Sequence, residues 1–137
     1  MKRLLVVAGL IRGKAGSANE ALFLMSRRRK NDHLGGWWEF PGGKVEPGEA
    51  PTAALRRELL EELAIDVVVG DVFAVGHHLY DDREVVLMVY DCQIAAGEPQ
   101  RLEVADFRWH TPQELCAMKL PPADEPILDR VRREWGS

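Results

Sequence analysis

The chain has 137 residues, 46% of them hydrophobic and 29% charged, and a formal net charge of −4. That size suits one domain spanning residues 1–137, with a core that needs no disulfide support. The acidic balance argues against stable nucleic-acid binding, no apolar run nears the ~18 residues of a membrane span, and Cys92 and Cys116 lack CxxC spacing, which argues against a zinc site or disulfide framework. The expectation is a soluble cytoplasmic protein, monomer or homodimer.

The opening stretch "MKRLLVVAGLIRGK" is basic and then apolar, but the run is short and no small-residue cleavage site follows, so residues 4–11 read as a buried first strand. A second strand is predicted over "ALFLMS", residues 21–26, after a Gly/Ser/Asn break. "RRRKNDHLGG" reads as a basic loop, and "WWEFPGGKVEPGE" (37–49), with its prolines and glycines, as a structured loop rather than a helix or central strand. From Pro51 to Ala64 the leucines recur at helical spacing, with Pro51 in the first turn. "VFAVGHHLY" and "EVVLMVYDCQIA" flank "DDRE" as a β-hairpin. "FRWH" is a short strand, "TPQELCAM" a short helix capped by Thr111, and "DEPILDRVRREW" an amphipathic C-terminal helix. This order implies a mixed sheet covered on both faces.

The helix from Pro51 carries an unusual load. At ~100° per residue, Glu61 lies about 60° to one side of Glu58 and Glu62 about 40° to the other, so three carboxylates share one face. Ala53, Leu59, Leu60 and Leu63 are expected on the opposite arc as an apolar back, with Arg56 projecting awkwardly from it. Like charges at these spacings cost roughly 0.2–0.5 kcal/mol per pair, and a divalent cation would reverse the sign. A solvated acidic face is the plain alternative. The preceding Gly-Gly-Lys loop and Glu49 offer further oxygen ligands, and magnesium favours an oxygen shell shared with substrate phosphates.

Gly43, five residues, Glu49, seven residues, then Arg57-Glu58-Leu59-Leu60-Glu61-Glu62 and Ile65 closely resemble the Nudix box, G-x5-E-x7-R-E-U-x-E-E-x-G-U with U aliphatic. Ala64 stands where the pattern has its last glycine. "EFPGGKVEPGE" and "LPPADEPIL" are similar to segments of MutT-type nucleoside triphosphate pyrophosphohydrolases, and the resemblance covers nearly the whole chain. It implies the Nudix fold, an α/β/α sandwich around a mixed β-sheet. It also implies Mg²⁺-assisted attack of water on a phosphate chain, with Mn²⁺ as a substitute. Glu58, Glu61 and Glu62 would then bind metal with the Gly42 carbonyl, Glu49 would act through Arg57, and Glu103 resembles a further metal-binding or base-positioning glutamate. Glu58 is the other candidate base.

The resemblance also implies substrate contacts at Arg28, Arg83 and Asp124, with His33 and Phe40 beside them. Plainer readings exist: Arg28 in a solvated basic loop, Asp124 as the ordinary N-cap of the last helix, Glu103 on the surface. One of Trp37 and Trp38 would stack a base or both would serve the core, while His77 and His78 read as structural. The leading expectation is hydrolysis of modified nucleoside triphosphates such as 8-oxo-dGTP to monophosphate and pyrophosphate. Alternatives are a CTP or 5-methyl-dCTP enzyme, a nucleotide-sugar hydrolase, or a non-catalytic nucleotide-sensing module. The intact Glu58, Glu61 and Glu62 set weighs against the last.

Overall fold

Strand β1 (Lys2–Arg12) alternates Val7 and Ile11 on one side with Ala8 and Leu10 on the other, all buried, so the sheet around it must be covered on both faces. A computed structural model describes residues 1–136 and shows that arrangement. β2 (Phe23–Arg27), β3 (Trp38–Glu39), β4 (Gly42–Lys44), β5 (Asp66–Leu79), β6 (Arg83–Ala96) and β7 (Asp106–His110) complete a seven-stranded mixed sheet, whose main order is β3-β2-β1-β6-β5. β1 and β6 run parallel from Lys2↔Arg83 to Arg12↔Gln93, while β5 and β6 form the expected antiparallel hairpin. The other edge of β1 is shared, antiparallel, by β4 at Val6–Ala8 and by β2 at Ile11 and Arg12. β7 lies against β2.

Helix α1 (Pro51–Leu63) covers one face, packing Ala54, Leu55, Leu59 and Leu63 over Val7, Ile11, Leu24 and Ile94. Each leucine so buried contributes about 1.5–3 kcal/mol. The other face is covered by α2 (Pro112–Cys116), a 3-10 turn (Pro122–Asp124) and α3 (Glu125–Trp135), which set Leu115, Ala123, Ile127, Leu128 and Val131 over Leu10, Met25, Leu87 and Val89. Thr111 caps α2 as expected, in a reciprocal capping box with Glu114. Among the described residues no helix is long and apolar enough to cross a membrane.

The structure corrects three expectations. The segment 37–49 is not all loop: β3 pairs with β2 and β4 with β1, the latter because Gly42 lacks the side chain that would collide with the Val7 carbonyl and Ala8 of β1. β5 begins at Asp66, well before the expected Val72, with bulges at Asp66/Val67, Val69/Val72 and Val72/Ala74. The apolar back of α1 also differs, since Leu60 and Ala53 face solvent and Arg56 projects outward to Asp66 at 3.2 Å. The buried row is Leu55-Leu59-Leu63, spaced by four, and the row Glu58-Glu62 lies beside it rather than opposite.

α1 ends where Ala64 takes the left-handed conformation, φ 59° and ψ 30°, with its N–H on the Leu60 carbonyl at 3.1 Å. A side chain in that region costs about 1 kcal/mol relative to glycine. Ala64→Gly is therefore expected to stabilise the protein by about 0.5–1 kcal/mol, read as a rise of a few degrees in Tm. An unchanged or lower Tm would show that the turn carries no such strain.

Candidate active site

The loop of residues 42–50 and helix α1 meet at Arg57. Its guanidinium donates to both carboxylate oxygens of Glu49 at 2.8 and 2.9 Å, to Glu58 at 2.9 Å, to Glu61 at 3.3 Å and to the Lys44 carbonyl at 3.2 Å. Hydrogen bonds from Arg57 and from the Glu46 backbone hold the Glu49 carboxyl down to about 2. Glu58 packs its carboxyl against Gly43, where any side chain would collide with it. Glycine at this position, in β4, lets the Glu58 carboxyl approach the backbone without shifting.

Glu58 and Glu62 face a cleft of about 450 Å³ that also contains Arg28, His33, Glu39, Phe40, Gly42, Gly43, Tyr80, Arg83 and Asp124. Its apolar floor comes from paired positions of the two parallel strands, Leu4 beside Val85 and Val6 beside Leu87. Burial, reinforced by the charges of Glu58, Glu39 and Glu103, pushes the Glu62 carboxyl up to about 9, and Arg28 only partly opposes the rise. Burial also raises Glu58, against the pull of Arg57.

At the far end Asp124 is 6% exposed and makes no capping hydrogen bond to α3, so the helix-cap reading does not hold. Burial raises its carboxyl well above the ordinary range, with the Glu39 charge adding to the rise and the Phe40 backbone N–H opposing it. Burial thus favours the neutral form of this carboxyl, which offers both a donor and an acceptor. Glu39, which the sequence reading missed, is raised to about 7 by burial despite its contact with Arg28. An acid between two aromatic residues in a Gly/Pro loop was the available signal.

Of the anticipated residues, Arg28, His33, Phe40, Gly42, Glu58, Glu62, Arg83 and Asp124 are gathered in this cleft. Glu61 points outward, with its side chain 49% exposed. Glu103 is exposed on a loop whose backbone N–H bonds the Glu62 carbonyl at 3.2 Å, close enough for its charge to act on Glu58 and Glu62. Arg28 does not project a free fork. Nε donates to the His33 carbonyl at 2.5 Å and one terminal nitrogen donates to Glu39 at 3.1 and 3.2 Å. Arg83 is paired with Asp82 at 2.9 Å. Neither tryptophan lines the cleft: Trp38 packs on the core, while Trp37 lies beside Lys119 on an open surface groove. His77 is bonded to Glu84 at 2.8 Å, and His78 stacks edgewise on Tyr80.

Among the described residues no three acidic, histidine or cysteine side chains converge on a point as a ready coordination set. The reason is visible in Arg57, which draws Glu58 and Glu61 to itself. The donors nevertheless fit a hard divalent cation: all are oxygens, and Glu62 is a half-buried acid whose neighbours are further carboxylates.

A NUDIX domain profile matches residues 2–131. The chain is 34% identical over 133 residues to the 8-oxo-dGTP diphosphatase of Escherichia coli (strain K12), covering 97% of this chain and 99% of the relative. It is 35% identical to the CTP pyrophosphohydrolase of the same organism, covering 94% and 91%. Among solved structures it is similar to a MutT protein from Methanosarcina mazei Go1, with TM-score 0.81, 29% identity and 97% and 95% of the two chains covered.

The raised Glu62 acid has a consequence for stability. Its unfolded value is 4.5 and its folded value about 9, so its favourable contribution is complete below about pH 4.5 and is lost as pH rises through about 9. In metal-free protein, the Tm of wild type is expected to fall relative to Glu62→Gln between about pH 5 and pH 9. Millimolar Mg²⁺ should raise the Tm of wild type and do less for the variant. Parallel curves with no magnesium response would remove the case for a strained, cation-ready carboxylate.

Proposed function

Because the chain belongs to the NUDIX domain family, we propose that its cleft hydrolyses modified nucleoside triphosphates, 8-oxo-dGTP foremost, to the monophosphate and pyrophosphate. The observation that carries this reading is one cleft lined both by carboxylates of α1 and by the buried carboxyl of Asp124, whose burial favours the neutral acid. Asparagine-like, a neutral Asp124 meets the adjacent O6 acceptor and N7–H donor of an 8-oxoguanine edge. The 34% identity to an 8-oxo-dGTP diphosphatase agrees with it. The 35% identity to a CTP pyrophosphohydrolase supports a second reading, a CTP-like substrate, in which an ionised Asp124 accepts from the exocyclic amine.

The Gly42 carbonyl and the carboxylates of Glu58, Glu61, Glu62 and Glu103 are the donors that would hold Mg²⁺, with Mn²⁺ as substitute. Bound there, the cation supplies charge neutralisation for the phosphate chain and lowers the pKa of water. The chain's own residues supply the rest. Arg57 holds loop and helix in register through Glu49. The water's proton passes to a carboxylate at this end, Glu58 or Glu103, and their glutamine variants separate the two. Phe40 and the Leu4/Val6/Val85/Leu87 floor provide apolar surface for the base, while His33, Arg83 and Arg28 form the wall beside it. Free nucleotides are the expected partners, without stable nucleic-acid binding, in the cytoplasm.

Two outcomes test this. Glu61→Gln or Glu62→Gln is expected to cut turnover by about a hundredfold or more while the protein stays folded, read as pyrophosphate released from a panel of oxidised, methylated and canonical nucleotides and nucleotide sugars with Mg²⁺. Near wild-type activity in either variant would remove the site. Preference for 8-oxo-dGTP over CTP should weaken as pH rises toward the raised value of Asp124, and Asp124→Asn should abolish that pH dependence. A preference that ignores pH in the wild type would separate Asp124 from base choice.

A further inference from the structure

Nothing in α3 holds the Asp124 side chain, which makes no cap bond there, so its placement depends on what fixes the Pro121–Asp124 turn. The turn closes on itself through Asp124 N–H to the Pro121 carbonyl at 2.9 Å, and the Asp124 carboxyl lies against the Phe40 N–H. From outside it is gripped by β5. Gly76 lies so close to the Ala123 carbonyl that any Cβ would collide with that oxygen. Just beyond the strand, the Tyr80 hydroxyl oxygen faces the Ala123 N–H. Ala123, the chain neighbour of Asp124, is thus contacted at its N–H and at its carbonyl, in the two peptides that flank it.

Tyr80 is itself anchored. Its backbone N–H donates to the Arg83 carbonyl at 2.8 Å, closing the hairpin turn. Its ring stands edge-on to His33, with centroids 5.3 Å apart at 89°, and to His78, 4.6 Å apart at 68°. It therefore ties the hairpin turn, the basic loop and the Asp124 turn to one another. Tyr80 lines the same cleft as Asp124 and Glu39.

We propose that Tyr80, with Gly76, is a positioning residue for base choice: the two hold Ala123 by its N–H and its carbonyl and so set where the Asp124 carboxyl meets the base edge. This rests on the reading of Asp124 as the base-recognising group. A phenylalanine at position 80 would keep the edgewise packing on His33 and His78 and lose only the oxygen that faces Ala123. Alanine at position 76 would push the Ala123 carbonyl, in the peptide that leads into Asp124.

The experiment compares kcat/KM for 8-oxo-dGTP and for CTP, with Mg²⁺, in wild type, Tyr80→Phe, Gly76→Ala, Asp124→Ala and the double variant Tyr80→Phe/Asp124→Ala. Tyr80→Phe is expected to change the ratio of the two by about fivefold or more, in the direction of Asp124→Ala, with no further change of ratio in the double variant. Gly76→Ala should move the ratio the same way, and Tyr80→Phe carries the test if that backbone collision prevents folding. Loss of both activities by one common factor in Tyr80→Phe would overturn the proposal, as would a ratio change that persists when Asp124 is already alanine. A ratio unmoved by Tyr80→Phe but moved by Asp124→Ala would overturn the positioning role alone. One unmoved by Asp124→Ala would overturn the base reading and the proposal with it.

Discussion

The Arg57 guanidinium is the joint on which the site depends. It bonds the loop through Glu49 and the Lys44 carbonyl, and its own helix through Glu58 and Glu61. Exposed ion pairs are individually worth about 0–1 kcal/mol, so the value of this network lies in geometry more than in stability. A planar fork gripping both oxygens of Glu49 fixes the angle between loop and helix, which a lysine's single ammonium would leave free. The Gly42 carbonyl, the Glu58 carboxyl and the Gly43 backbone all take their relative positions from that angle. Because the Glu49 carboxyl is depressed to about 2, this joint persists until pH falls well below the ordinary glutamate range.

The cleft that Arg57 organises is electrostatically divided. At one end Glu58 and Glu62 are half-buried, only Glu58 has a direct cationic partner in Arg57, and both carboxyls are raised. At the other, Arg28 is tied to Glu39, and burial shifts Asp124 toward its neutral form. A phosphate chain would be repelled by the first end unless cations bridged it, whereas a base is best read by the second, where neutral donors and acceptors sit in a low-dielectric wall. The apolar floor between them comes from strands that run parallel, so the same end of β1 and of β6 faces the cleft.

Parallel pairing also explains why the two ends can be built by segments so distant in the chain. β1 lies between β6 and the shared edge of β4 and β2, and this central place brings residues near 40, 80 and 124 around its first half. The raised acids follow from that convergence. None of Glu39, Glu62 and Asp124 would be perturbed in an isolated segment, because the desolvation that dominates each shift is produced by the other segments covering it.

The sequence by itself determined what depends on neighbours three or four residues away or on side-chain alternation. It showed the helix with Pro51 at its start and Glu58, Glu61 and Glu62 within one turn of each other. It also showed the hairpin after Val72, the Thr111 cap and the match to the box that identifies the family. These are legible because a period of 3.6 or 2 and a capping side chain act locally, whatever the rest of the chain does. Tertiary structure decided which side of α1 is inside, exposing Leu60 while recessing Glu62, because the arc that meets the sheet is chosen by packing and not by composition. It also decided that Arg28 bonds Glu39 and that Asp124 faces Phe40 and Tyr80 instead of capping α3. Those contacts join residues tens of positions apart, and their chemistry arises from shared burial, a property of the folded whole that no single stretch of sequence carries.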